Sequence, residues 1–179
     1  MANVASYYKA KKAASLSNPT SASVFVQSDA STKAVFVPFA VDSGATNARF
    51  KVRARGRATT GGSITFKATI QYTTDVTSTS CATATNNTDL LALTARTLAT
   101  VTRDWAIDLE LIWDSTAQRL TGQANGFNGE TIETANAAIT ALTSIDLTTR
   151  KTGLVVSAIF GSSNSSNSAT LDDFIIEVL

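Results

Sequence analysis

The residues of this sequence that could carry chemistry are charged side chains that, in each of two segments, fall only at positions of one parity. Because successive side chains of a β-strand point to opposite faces, this spacing places the charges of a segment on one face and its apolar residues on the other. The two segments therefore predict two amphipathic strands of opposite charge. The charged positions are Arg49, Lys51, Arg53, Arg55 and Arg57 in the basic segment, and Asp104, Asp108, Glu110 and Asp114 in the acidic segment.

The carboxylates of the acidic segment raise two chemical possibilities, calcium binding and glycoside hydrolysis. Side chains two residues apart on a strand are separated by ~6–7 Å, which is too far for joint ligation of one ion without loop ligands. The same spacing suits two carboxylates with a water between them, as in inverting glycosidases. A single strand does not define a substrate cleft, so the pattern favours a solvated face or one paired across strands. No metal site is predicted.

The basic segment carries the charge that binds phosphate groups, but it lacks the aromatic side chains on which nucleic-acid bases stack. Phe50 falls on the opposite face from the arginines. A basic strand face also resists edge-to-edge aggregation, which needs no ligand. Nucleic acid is therefore not an expected partner.

Charge is divided unequally along the chain. Residues 1–67 contain ten Lys and Arg against two acids, whereas residues 68–179 contain five against twelve, which gives +8 and −7. In one interpretation the two halves neutralise each other across neighbouring strands, at ~0.2–1 kcal/mol per cross-strand pair. In the other, the opposite charges are complementary between copies of the chain or with a partner, and they favour assembly.

The composition excludes most catalytic chemistry. The chain has no histidine, which removes the usual general base and the commonest metal ligand. Cys81 is the single cysteine, so neither an intrachain disulfide nor a cysteine-based zinc site can form. We expect no enzymatic activity, no catalytic residue and no cofactor.

The first 23 residues predict a flexible N-terminal arm, followed by one β-sandwich domain over residues 24–179. The arm is rich in Ala, Ser and Lys, has no sustained periodicity and is broken by Asn18-Pro19. It lacks the apolar run of a signal peptide or a membrane span, so no membrane contact is expected. Its candidate assembly residues, together with the charged positions above, are Tyr7, Tyr8, Lys9, Lys11 and Lys12.

The rest of the chain predicts about eight to ten short strands with polar loops, which favours an all-β fold of two packed antiparallel sheets, with a jelly roll as the leading topology. Residues 48–58 and 63–72 predict a hairpin joined at Gly61-Gly62, and residues 90–93 predict a short helix. Asn125-Gly126 and Asn128-Gly129 predict turns. The predicted core comprises Phe50, Val52, Ile64, Phe66, Ile70, Trp105, Ile107, Leu109, Leu111, Trp113, Phe160, Phe174 and Ile176.

Two stretches resemble jelly-roll structural proteins of tailed-bacteriophage particles. They are residues 113–123, with the sequence WDSTAQRLTGQ, and residues 169–178, with the sequence ATLDDFIIEV. The resemblance implies an accessory virion protein, such as a capsid decoration or cement subunit. Its partners would be copies of itself and a major capsid protein, and its location would be the virion, assembled in the host cytoplasm.

Three functions follow as hypotheses. The first is a non-enzymatic virion structural protein that stabilises a phage head through subunit contacts. The second is a carbohydrate-binding jelly-roll module, such as a particle adhesin, with a glycan as its partner. Such modules expose aromatic side chains, and here only Tyr7, Tyr8 and Phe127 fall in predicted loops or the arm, which favours the structural role. The third is a glycosidase that uses carboxylates alone.

Overall fold

A computed structural model describes residues 7–9, 14–27, 30–34, 36–38, 47–73, 87–129, 131–132, 137–138, 141–148 and 153–179. Every helix or strand assigned among these residues is a β-strand. In chain order the strands are β1 (Tyr7–Lys9), β2 (Ala14–Ser17), β3 (Ser23–Val24), β4 (Val26–Gln27), β5 (Ala30–Ala34), β6 (Phe36–Pro38), β7 (Asn47–Thr59), β8 (Ile64–Thr73), β9 (Thr88–Ala92), β10 (Arg96–Leu98), β11 (Thr102–Asp114), β12 (Arg119–Asn128), β13 (Thr131–Ile132), β14 (Ala137–Ala138), β15 (Gly153–Phe160), β16 (Ser168–Leu171) and β17 (Asp173–Val178).

The described strands form two large antiparallel sheets. A nine-stranded sheet has the order β1-β17-β7-β11-β12-β13, with β14 on β12, β16 on β7 and β2 on β16. A six-stranded sheet has the order β10-β8-β15-β3, with β9 on β8 and β6 on β15, while β4 and β5 pair separately. The protein is therefore a jelly-roll-like antiparallel β-sandwich, and the predicted fold class is confirmed.

The inner faces of the two sheets form one hydrophobic core, and all thirteen residues of the predicted core are buried in it. Trp105 of the nine-stranded sheet lies 6.2 Å from the Phe25 ring and 6.3 Å from the Phe66 ring, measured between ring centroids. Phe66 in turn lies 5.2 Å from Phe160. Such aromatic pairs contribute about 0.5–1.5 kcal/mol beyond the burial of their area. Alternating apolar residues therefore hold the two sheets together.

The predicted hairpin of residues 48–58 and 63–72 is wrong, because its two segments lie in different sheets. β7 pairs with β11 over its full length, and β8 pairs with β15. The connection that contains Gly61 and Gly62 therefore crosses from one sheet to the other. Period-two alternation identifies a strand and its buried face, but it does not identify the neighbouring strand.

Two local predictions are also corrected. Residues 90–93 form no helix, because Thr88–Ala92 is strand β9, which buries Leu90 against the core. Asn125-Gly126 lies inside β12 rather than in a turn. The second dipeptide does end the strand, with Gly129 at a φ of 67°. The Asn128 side chain is buried and joins the sheets, since its Nδ2 donates to the carbonyl oxygens of Phe66 (2.9 Å) and Thr94 (3.0 Å).

The described part of the predicted arm is paired with the sandwich. β1 pairs with β17 and β2 pairs with β16, both in the nine-stranded sheet, whereas β3 pairs with β15 in the other sheet. Ala14 and Pro19 are buried. The prediction of a flexible arm with nothing to bury is therefore corrected for these residues. Lys11 and Lys12 lie outside the described residues.

An asparagine network anchors this N-terminal segment. Asn18 donates from Nδ2 to Ser163 Oγ at 2.8 Å, and its Oδ1 accepts from the Asn164 backbone N–H at 2.9 Å. Asn167 Oδ1 accepts from the Gly61 N–H at 3.1 Å, while its Nδ2 donates to Asn18 Oδ1 at 3.2 Å. Three segments that are distant in sequence are thereby joined at one end of the sandwich.

Candidate functional site: a polar depression on the nine-stranded sheet

The two charged segments predicted from sequence lie side by side on one face of the nine-stranded sheet. β7 and β11 pair so that their outward-facing side chains are directly opposite one another. Basic and acidic residues therefore meet at three of the four outward-facing cross-strand positions from Arg57 to Lys51; at the fourth, Arg55 lies opposite Ala106. The opposed pairs are Arg57 with Asp104, Arg53 with Asp108, and Lys51 with Glu110.

Ion pairs connect several of these side chains. Arg53 Nε donates to Asp108 Oδ1 at 3.0 Å, and Arg55 Nη2 lies 3.8 Å from Asp108 Oδ2, so one carboxylate bridges two cations. Arg57 Nε donates to Asp172 Oδ2 at 3.2 Å. All of these groups are about half exposed, and exposed pairs contribute only ~0–1 kcal/mol each. Neutralisation between neighbouring strands, one of the two predicted interpretations, is thus observed; complementarity between copies stays a prediction.

Two further strands extend this face on either side. In β17, Glu177 lies opposite Lys51 and Ile175 lies opposite Arg53. In β12, Gln123 lies opposite Glu110 and Asn125 lies opposite Asp108. Two adjacent rows of four side chains therefore cross the strands. The rows are Glu177, Lys51, Glu110, Gln123 and Ile175, Arg53, Asp108, Asn125.

These eight residues line a depression of about 440 Å³, which we call the sheet depression. Val52 and Leu109 also border it, although their side chains belong to the buried core. The depression collects two cations, three carboxylates and two carboxamides, so its net charge is −1. Its walls can both donate and accept hydrogen bonds, whereas only Ile175 is apolar among the eight.

Exposed apolar side chains lie beyond the two rows. Phe127 is one row further along β12, is 36% exposed, and faces the same side of the sheet as Asn125. It lies opposite Ala106, which is only 2% exposed although it faces outward. Phe127 is therefore part of a strand, not of a loop as predicted. Ile112 is 45% exposed on β11 at the other end of the two rows.

The remaining predicted residues lie outside the depression. Asp114 caps the β11–β12 turn, since its Oδ1 accepts hydrogen bonds from the backbone N–H groups of Thr116 and Ala117 at 2.9 and 3.0 Å. Asp104 and Arg49 are exposed near opposite ends of the same face. Tyr7, Tyr8 and Lys9 form β1 at the edge of the sheet. Of the predicted residues, Lys51, Arg53, Asp108 and Glu110 thus line the depression, while Arg55 contacts Asp108 from the next row.

Sequence reasoning missed four residues of the depression, namely Gln123, Asn125, Ile175 and Glu177. Gln123 and Asn125 do alternate with the buried residue Ala124, which is the same period-two signal that identified β11. The Asn-Gly dipeptide hid this signal because it favours a turn. For Ile175 and Glu177 the strand was predicted, but nothing in the sequence showed that it lies beside β7.

Among the described residues, no group of three or more His, Cys, Asp or Glu side chains could hold a metal ion. Asp108 and Glu110 sit at the centre of the depression, and Asp108 is already engaged by two arginines. The part of the chain that the structure describes also contains no helix that is long and apolar enough to cross a membrane.

No protein-family model and no curated protein matches this sequence. Solved structures of lectins are similar to the fold at low identity. Arcelin-5, a lectin-like defence protein from Phaseolus vulgaris, is 8% identical with a TM-score of 0.41 and 98% coverage of both chains. Winged bean acidic lectin, complexed with methyl-α-D-galactose, is 9% identical with a TM-score of 0.39, over 97% of this chain and 98% of its own. Because the identities and TM-scores are this low, these structures do not indicate what the depression binds, and only its own side chains do.

Proposed function

We propose that this protein is a non-enzymatic carbohydrate-binding β-sandwich and that the sheet depression is its binding site. The observation that carries the proposal is the lining of the depression: two carboxamides, three carboxylates and two cations converge on one concavity of about 440 Å³. Small-molecule sites are concave and use a few well-placed polar groups to orient the ligand.

The chemistry of these side chains suits sugar hydroxyl groups. Each hydroxyl donates one hydrogen bond and accepts others, so it is best bound where donors and acceptors are mixed. Asp108 and Asn125 provide such a mixture at directly opposed positions of β11 and β12. The net charge of −1 disfavours a polyanion such as nucleic acid, because phosphate binding requires an excess of Lys and Arg.

The site is also held in place before any ligand binds. Its side chains extend from four paired strands rather than from loops, and a site built on strands is more precisely positioned than one on loops. Arg53 and Arg55 fix the Asp108 carboxylate from one side. Less conformational entropy is therefore lost when a ligand is bound.

A glycan array, followed by titration calorimetry of the glycans that bind, tests this proposal. Asn125→Ala and Asp108→Asn should each weaken binding by about tenfold, because the first removes a hydrogen bond to the ligand and the second replaces a charged acceptor with a neutral amide. Asn47→Ala is the matched control, since Asn47 is an exposed amide on the same strand face outside the depression. The proposal would be overturned if no glycan binds, or if Asn125→Ala and Asp108→Asn leave the affinity unchanged.

A second candidate is a decoration subunit of a phage head. It is supported by the resemblance of residues 113–123 and 169–178 to virion proteins, and by the position of β1 at the edge of the nine-stranded sheet. An edge strand can pair with a strand of another copy or of a partner. Sedimentation of the protein alone and with phage heads tests it. A monomer that does not bind heads would contradict this role, whereas a head-bound protein that also binds glycans would be a particle adhesin.

A further inference from the structure

The sheet depression is longer in one direction than in the other. Its eight lining side chains form two rows along the strands and four positions across them, from β17 through β7 and β11 to β12. Adjacent strands are ~4.8 Å apart and rows are ~7 Å apart, so the depression extends about 14 Å across the strands but only about 7 Å along them. An elongated ligand would therefore lie across the strands.

The two ends of this long axis differ in chemistry. At the β17 end, half-buried Ile175 provides an apolar surface beside the exposed carboxylate of Glu177. At the β12 end, the depression ends in the exposed carboxamides of Gln123 and Asn125. Both ends thus offer hydrogen-bonding groups, and these groups are too far apart to contact a single sugar ring.

The β12 end is also bordered by an aromatic side chain. Phe127 is two residues beyond Asn125 on the same strand face, which corresponds to ~7 Å. Its side chain is 36% exposed, so part of the ring is accessible to a ligand. The negative face of an aromatic ring attracts polarised C–H groups, such as those on the apolar side of a pyranose.

We infer that the depression binds a linear oligosaccharide of about three sugar units that lies across the strands from β17 to β12, with its β12-terminal unit against Phe127. This inference rests on the proposed function and specifies its ligand as an internal or terminal stretch of a chain rather than a single sugar. A linear chain of roughly three pyranose rings spans the ~14 Å between the outer strands of the depression.

Calorimetry with cello-, malto- and chito-oligosaccharides of one to six units tests this inference. For the series that binds, affinity should rise by about fivefold to tenfold with each unit up to three, because each unit adds one or two hydrogen bonds, and should then remain constant. Gln123→Ala and Glu177→Gln should both weaken binding of the three-unit ligand by about fivefold or more.

Phe127→Ala should weaken binding of the three-unit ligand by a similar factor. Val101→Ala is the control, because Val101 is similarly exposed, at 38%, and does not line the depression. The inference is wrong if one sugar unit binds as tightly as three. It is also wrong if Glu177→Gln leaves the affinity for the three-unit ligand unchanged while Asn125→Ala weakens it. In both cases the proposed function stands. If no oligosaccharide in any series and no glycan on the array binds, both are wrong.

Discussion

At the scale of single residues, Gly56 is a position where the packing leaves no room for a side chain. It lies on the inner face of β7, directly opposite Trp105 of β11. A Cβ atom there would overlap the carbonyl oxygen of Thr170 and lie 2.8 Å from Cζ2 of Trp105. The absence of a side chain at Gly56 therefore leaves space for the Trp105 indole and the Thr170 backbone.

Gly56→Ala should lower the free energy of unfolding by roughly 3 kcal/mol, because the added methyl group must displace either backbone or a buried indole. Urea denaturation followed by tryptophan fluorescence measures this change. Gly62→Ala is the matched control, since a Cβ atom at Gly62 meets no atom within 4 Å, and this substitution should leave the midpoint nearly unchanged. Equal midpoints for the two variants would refute the packing assignment.

Single residues also show how far the sequence predicts this molecule. All thirteen residues that were predicted to lie in the core are buried. Ten of them come from the alternating segments 48–58, 63–72 and 104–113, because a strand with one buried face has little freedom of register. The same rule failed to identify Asn125 as an exposed strand residue, because the local preference of Asn-Gly for turns competes with it. Tertiary pairing with β11 outweighs that preference in the folded protein.

At the scale of elements, the N-terminal segment connects the two sheets. β2 adds to the nine-stranded sheet through β16, and β3 adds to the six-stranded sheet through β15. Between them, Asn18 has a φ of 47°, a left-handed conformation that Asn tolerates better than most residues. The sequence alone predicts that removal of residues 1–20 spares the fold, whereas these contacts predict a cost.

Deletion of residues 1–20 should lower the free energy of unfolding by several kcal/mol, because it removes two paired strands, two buried residues and the Asn18 hydrogen bonds. Asn18→Ala should cost about 1–3 kcal/mol, since it removes the acceptor of the Asn164 backbone N–H and one of the two acceptors of Asn167 Nδ2, the other being the Ser162 carbonyl oxygen. Urea denaturation measures both, with Asn47→Ala as an exposed control. A deleted chain that unfolds at the same urea concentration as the parent would restore the prediction of a free arm.

Element pairing was the weakest part of the sequence prediction. The strand bounds of β7 and β8 were close to those observed, yet the two strands were assigned to one hairpin. The short Gly-Gly connection favoured this pairing. The opposite charges of β7 and β11 favoured another, between two strands that are separated by the 42 residues 60–101. The opposite charges that meet at three cross-strand positions were the signal that the sequence offered for the correct neighbour.

At the scale of the whole molecule, the opposite net charges of the two halves of the chain are neutralised locally by pairing of their side chains. The +8 and −7 halves meet on the outer face of one sheet, where Arg53, Arg55 and Arg57 pair with Asp108 and Asp172. Because these pairs are exposed, salt screens them and their contribution to stability is small. The hydrophobic core, not the charged face, therefore dominates stability, and the charged face remains available to a ligand.

The stability of the molecule at alkaline pH depends on Tyr72, near the C-terminal end of β8. Tyr72 is buried there, and this burial, with a smaller contribution from the Asp146 carboxylate, raises the pKa of its phenol to about 12. The pKa of tyrosine in an unfolded chain is about 10. Below pH ~10 both states keep the proton, so the stabilising effect of the neutral phenol is complete.

Between pH 10 and about 12 the unfolded chain loses this proton while the folded protein keeps it, so the free energy of unfolding should fall as pH rises. Lysines and the other tyrosines titrate in the same range, so the informative quantity is the difference between the parent and Tyr72→Phe. Urea midpoints measured from pH 8 to 12 should decline less steeply in Tyr72→Phe, because phenylalanine has no proton to lose. Parallel declines in the two proteins would show that Tyr72 ionises equally in the folded and unfolded states, which its burial against the core argues against.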